Sequence, residues 1–110
     1  MRVHLIKKET IENFARYNAR SRPSLLDWLT KLKYADWQCP EDIQSTFNTA
    51  DLLGNGSNRV VFDIGGNNYR VICKYWFGAS KVHLYVKWID THAAYNHLCK
   101  NNKQYIIDDF

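Results

Sequence analysis

Residues 58–96, NRVVFDIGGNNYRVICKYWFGASKVHLYVKWIDTHAAYN, leave this chain few folds to choose from. Three runs rich in Val, Ile and aromatic residues are separated by two turn signals. Val60, Phe62 and Ile64 alternate with Arg59, Val61 and Asp63, which is the period of a strand. Gly65-Gly66-Asn67 then supplies residues that accept a positive φ, as a tight hairpin requires. The second run is Tyr69 to Phe77, followed by the turn Gly78-Ala79-Ser80, and the third run is Lys81 to Ile89. Thr91 reads as a helix N-cap, with His92 and Tyr95 three apart on one helical face. The pattern predicts a three-stranded antiparallel meander followed by a helix.

Side chains two apart share a sheet face. On the second strand Arg70, Ile72, Lys74 and Trp76 point one way, and Tyr69, Val71, Cys73, Tyr75 and Phe77 the other. On the third, Val82, Leu84, Val86 and Trp88 form an apolar set, while Lys81, His83, Tyr85 and Lys87 form a basic and aromatic one. One face is therefore expected to pack on helices. The other is expected to offer Arg70, Lys74, Tyr85 and Lys87 to solvent. Cations interleaved with aromatics suit RNA, because they neutralise phosphates and stack bases. The same residues also suit a solvated face with blunted edges, and charge alone does not separate the two.

Upstream, Arg2 to Ile6 is a candidate edge strand. Ile11, Phe14, Ala15 and Asn18 recur at helical spacing, predicting a helix over Lys7 to Asn18. Pro23 suits the first turn of a second helix, in which Leu25, Trp28, Leu29, Leu32 and Ala35 make a strong stripe. Trp28 and Trp37 read as core residues. Pro40 starts a short third helical piece carrying Ile43 and Phe47. Asn48 to Asn58 reads as a loop, and Gln104 to Phe110 as a tail with Asp108 and Asp109. The expected class is α+β, with N-terminal helices packed on one face of a small antiparallel sheet and a short C-terminal helix. No repeat or linker interrupts it, so one domain is expected over residues 1–110.

Composition narrows the function classes. A 45% hydrophobic and 15% aromatic chain of 110 residues is a folded globule. The net charge of +4 is mildly basic, which suggests a polyanionic partner without proving one. There is no long apolar run, and the residues after Met1 do not build a signal peptide. Cys39, Cys73 and Cys99 have no metal-ligand spacing and fit a reducing cytoplasm. No phosphate loop, HExxH, paired CxxC or nucleophile elbow is present. Asp63 and Asp90 end different strands and do not make a convincing acid/base pair.

The runs RVVFDIGGNNYRVICKYWF and YVKWIDTHAAYN, behind SLLDWLTKLKYADWQCPEDIQSTFNTADLLGNGSNRVVF, resemble the HigB family of bacterial type II toxins. The most specific parts are Gly65-Gly66-Asn67 with Tyr69-Arg70, and Thr91-His92 with Tyr95. The resemblance implies a RelE-like fold and an endoribonuclease that cleaves messenger RNA, usually on the translating ribosome. It also implies a cognate HigA-like helix-turn-helix antitoxin as partner, and no cofactor or metal. Lys74 falls where the family often has a basic residue, and Lys87 where Arg is common. Asp63, Asp90 and Asn96 depart from the family's usual Asn, Gly and Asp.

On this resemblance the expected catalytic residues are Arg70, Lys87, His92 and Tyr95, with Arg59, Asn67 and Lys74 binding substrate. The 2′-hydroxyl of RNA attacks the adjacent phosphorus, so an enzyme needs a base, an acid and a charge that steadies the phosphorane. Arg70 suits the phosphate, because a guanidinium binds its oxygens bidentately. His92 and Tyr95 are the acid/base candidates, with His92 expected close to Lys87. The alternatives are a non-catalytic RNA-binding translation inhibitor and a protein-interaction module.

Overall fold

A computed structural model describes residues 1–110. Its elements run β1 (Arg2–Ile6), α1 (Lys8–Tyr17), α2 (Arg22–Tyr34), α3 (Glu41–Thr46), β2 (Asp51–Leu53), β3 (Arg59–Ile64), β4 (Tyr69–Phe77), β5 (Lys81–Thr91) and α4 (His92–Lys100). The five strands form one sheet in the order β1-β5-β4-β3-β2. The expected meander is β3-β4-β5, antiparallel throughout. The sheet is nevertheless mixed, because β1 lies parallel to β5, with Arg2 opposite Lys81 and Ile6 opposite Tyr85. The stretch read as a loop over 48–58 also contains a strand, β2, which pairs with β3 at the far edge. Three residues are too few to show a period.

The helix stripes bury as their spacing requires. Ile11 and Ala15 of α1 and Leu25, Trp28 and Leu32 of α2 are buried. They meet Val60, Phe62, Ile64, Val71, Cys73, Val82, Leu84, Val86 and Ile89 from the sheet. Phe62 is the aromatic pivot, edge-on to Trp28 at 5.2 Å and to Phe47 at 5.1 Å between ring centroids. Truncating such a buried ring to Ala costs about 3–5 kcal/mol. Trp37 is fully buried and donates from Nε1 to Thr46 Oγ1 at 2.9 Å, tying α3 to this layer. Three helices therefore cover this face, one more than the two strongest stripes indicate.

The opposite face has a smaller core of its own: Val61, Ile72, Trp88 and Leu98, with Leu53, Ala94, Tyr95 and Ile107 packed against it. Trp88 was expected beside Val82, Leu84 and Val86, and this is corrected by a β-bulge. In the β4–β5 ladder Ile72 faces Trp88 but Cys73 faces Val86, so Lys87 has no opposite number. One extra residue reverses the alternation. Trp88 thereby leaves the large core and becomes the floor on which α4 sits, with Tyr95 tilted over it at 6.1 Å.

Candidate functional site

The hairpin between β3 and β4 builds one end of this second face. Gly65 and Gly66 have φ of 63° and 67°, the left-handed region that glycine enters without steric penalty. A Cβ at Gly65 would also meet Ser24 Oγ at 3.3 Å. The four-residue connection sets the register Ile64 to Tyr69 and Asp63 to Arg70, and β5 then sets Asp90 opposite Arg70. Arg70 was expected on the open face with its side chain free. It is 6% exposed and almost fully engaged. Its Nε pairs with Asp63 Oδ1 at 3.0 Å. Nη1 donates to Gly66 O at 3.3 Å and Tyr69 O at 2.9 Å, and Nη2 to Asn67 Oδ1 at 2.9 Å. A guanidinium has five N–H donors, so one on Nη2 is left over. Asp63 is the Arg70 partner that the sequence reading did not single out, and the hairpin loop length is the signal that places the two opposite each other.

The start of α4 closes on this end. Thr91 caps the helix as expected, its Oγ1 accepting from Ala94 N at 3.2 Å. Asp90 Oδ1 accepts from Thr91 N at 2.7 Å, and His92 N donates to Asn68 O at 3.0 Å. The strand end, helix start and hairpin are thus joined. His92 is half-buried, with Nε2 3.2 Å from Asn96 Nδ2, while its buried Nδ1 has no partner. An unpaired buried donor or acceptor costs about 1–3 kcal/mol, so this ring carries a group that a ligand can satisfy. Burial raises the Tyr95 pKa well above that of an ordinary phenol, assisted by a hydrogen bond with Cys99 and the charge of Asp51; Arg70 opposes the shift. Arg70, Asn67, His92 and Tyr95 are therefore gathered around one hairpin and one helix start.

The bulge builds the other end. Lys74, Tyr75, Trp76, Tyr85 and Lys87 line a depression of about 300 Å³. Trp76 is 61% exposed and Lys74 is open. Lys87 Nζ lies 5.8 Å from the centre of the Tyr85 ring and pairs with Asp108 at 3.1 Å. Lys87 was expected near His92, but the four strand residues Trp88 to Thr91 separate them, about 16 Å along the chain. Arg59 is buried, and its Nη1 donates to Ile107 O at 2.7 Å and Gln104 O at 3.2 Å. The guanidinium expected to bind substrate holds the segment that follows α4. No three His, Cys, Asp or Glu side chains come together as a metal site.

The fold is shared with a solved toxin. The structure titled YoeB/ParE toxin from Agrobacterium tumefaciens superposes with a TM-score of 0.51 at 16% identity, over 84% of this chain and 99% of that one. The model of the HigB toxin family, described as the RelE-like toxic component of a toxin-antitoxin system, matches residues 21–98. The mRNA interferase HigB of Escherichia coli O6:H1 is 31% identical over 98 residues, 89% of this chain and 93% of that protein. The mRNA interferase toxin HigB of Escherichia coli K12 is 23% identical over 94 residues, 86% and 88% of the two chains. The chain belongs to the HigB toxin family of toxin-antitoxin systems.

Proposed function

We propose that this toxin is an endoribonuclease that cuts messenger RNA by internal transesterification, using side chains alone. The observation that carries the reading is Arg70. Its guanidinium is immobilised by four contacts, with one N–H remaining, beside a tyrosine that binds its proton tightly. A charge fixed before substrate arrives needs no reorganisation as the phosphorane forms.

In this mechanism His92 takes the proton from the 2′-hydroxyl, whose oxygen attacks the adjacent phosphorus. Arg70 donates its remaining N–H to a non-bridging oxygen. Tyr95, a protonated phenol, gives its proton to the departing 5′ oxygen. The products are a 2′,3′-cyclic phosphate and a 5′-hydroxyl end. Asn67 steadies Arg70 through Oδ1 and offers its amide to the RNA, while Lys74 and Lys87 hold flanking phosphates and Tyr85 and Trp76 stack bases. Arg59 assists only through the segment it anchors. The partners in this reading are messenger RNA, the ribosome that presents it as a single strand, and a HigA-like helix-turn-helix antitoxin. The names of the two Escherichia coli relatives support the substrate.

A second reading has its own observation. Arg70 spends most of its donors inside the protein, while the open Lys74 lies beyond the bulge, about 13 Å along β4. That arrangement suits an RNA binder that blocks translation without cutting. Expressing the chain alone in a bacterium and mapping RNA 5′ ends separates the two. The nuclease yields new 5′-hydroxyl ends within coding regions, and His92→Gln abolishes them. Growth arrest with intact transcripts overturns the nuclease in favour of the binder.

A further inference from the structure

The segment after α4 is fastened across the second face. A 3-10 turn over Lys103–Tyr105 buries Gln104. Arg59 on β3 then grips the carbonyls of Gln104 and Ile107, and Ile107 packs against the Trp88 cluster. At β5 the Asp109 N–H donates to Lys87 O at 3.0 Å, while Asp108 Oδ1 meets Lys87 Nζ at 3.1 Å. The segment therefore runs from β3 to β5 over β4. Lys87 is the bulge residue, without an opposite number on β4, and both its backbone and its side chain face the strap. Arg59, the Asp109 N–H and Ile107 also hold the strap, so these anchors remain if the Asp108 carboxylate leaves Lys87. That carboxylate is 59% exposed yet directed at a cation in a depression lined with aromatics.

We propose that Lys87, with Arg59 and Lys7 contributing charge behind it, is a subsite for a backbone phosphate of single-stranded RNA, and that Asp108 occupies it until substrate displaces it. This rests on the RNA reading above and adds a site and a competitor to it. Carboxylate and phosphate oxygens are interchangeable partners for an ammonium group, which acts as a compact point charge. The carboxylate side of this ion pair is open to water, so its place on Lys87 is open to exchange. The field at this point suits an anion. Lys87 holds the Asp108 carboxyl below the usual carboxylate range, first by hydrogen bond and then by charge, and Arg59 and Lys7 act in the same direction. In the ladder the subsite lies level with Ile72 and Cys73, about 8 Å along the strand direction from Arg70.

The test uses the full chain and two probes: single-stranded RNA with 2′-O-methyl groups, which cannot react, and inorganic tripolyphosphate. Asp108→Asn is expected to bind both about three- to tenfold more tightly. Its affinity for the RNA should fall more steeply with salt, by about 0.7 in the log–log slope for one released counterion. Adding Lys87→Ala to Asp108→Asn should erase the gain. Unchanged affinity for both probes in Asp108→Asn, or a gain that survives loss of Lys87, overturns the subsite even where unmodified RNA is cleaved. A gain that requires Lys87 upholds it, and if unmodified RNA then stays intact, only the nuclease reading falls.

Discussion

Arg70 stands at the hairpin end of one sheet face and Lys87 on the bulge further along it, and the chain treats these two cations differently. Arg70 is buried, bracketed in register by Asp63 and Asp90, and held by four contacts from its own hairpin. Lys87 stands on a bulge with one exposed carboxylate as its partner. The first is a charge that cannot move, and the second is one whose counterion can be exchanged. Chemistry benefits from the former, since a preorganised donor avoids reorganisation in the transition state. Reversible grip on a long polymer benefits from the latter, since each exchanged ion pair costs little. The division predicts that changes at the hairpin end alter the rate of bound RNA, and changes at the bulge end alter its binding.

The largest effect is expected at the acid/base pair. Tyr95→Phe keeps the ring on Trp88 and removes only the hydroxyl, and should slow single-turnover cleavage about 100- to 10,000-fold with little change in affinity. Because burial raises the Tyr95 pKa, the phenol stays protonated through neutral and mildly alkaline pH. The rate profile should therefore show no alkaline fall belonging to this group below about pH 10. If Tyr95→Phe weakens binding instead of slowing cleavage, the two ends are not divided by role.

Arg70→Ala comes next, at about 100- to 1000-fold in rate. It should also destabilise the protein by roughly 3 kcal/mol, because Asp63 loses its partner in a largely buried setting. Arg70→Lys restores the charge but not the fork. It should recover much of the stability, read by urea melts, and little of the rate. Equal recovery of both would show that charge alone is what this position supplies.

The smallest effect belongs to the open end. Lys74→Ala should weaken RNA binding severalfold and make its salt dependence shallower by about 0.7, while the cleavage rate at saturating enzyme stays near that of the parent. A Lys74→Ala protein with a normal salt slope would remove this residue from the RNA path.

The strands of the meander were legible because Val60, Phe62 and Ile64, and then Val82, Leu84 and Val86, alternate without interruption. The helices were legible from Leu25, Trp28 and Leu32. The hairpin was legible from Gly65 and Gly66, and the cap from Thr91. What escaped was non-local. β1 takes its direction from a partner about eighty residues on, and β2 is three residues long. The bulge at Lys87 leaves no mark in a run where Lys87 and Trp88 extend the alternation without a break, although in the folded chain both face away from Val86. The burial of Arg70 and Arg59 follows from α4 and the 103–109 segment landing on the face that alternation marked as open. A strand pattern shows which side chains share a face, but which face is later covered depends on elements that pack after the sheet is made.

The parallel pairing of β1 with β5 has a consequence for how the toxin is born. β5 is an inner strand, and β1 closes the sheet at its edge by pairing with a partner about eighty residues on. Contacts so distant in sequence form late and slow folding, because loop closure must precede the contacts that reward it. A nascent chain that has not yet released residues 81–91 has β1, α1 and α2 without the strand that organises them, and it has neither His92 nor Tyr95. Assembly of this sheet therefore waits on β5, since β1 has no other strand to pair with and α1 and α2 no complete face to cover.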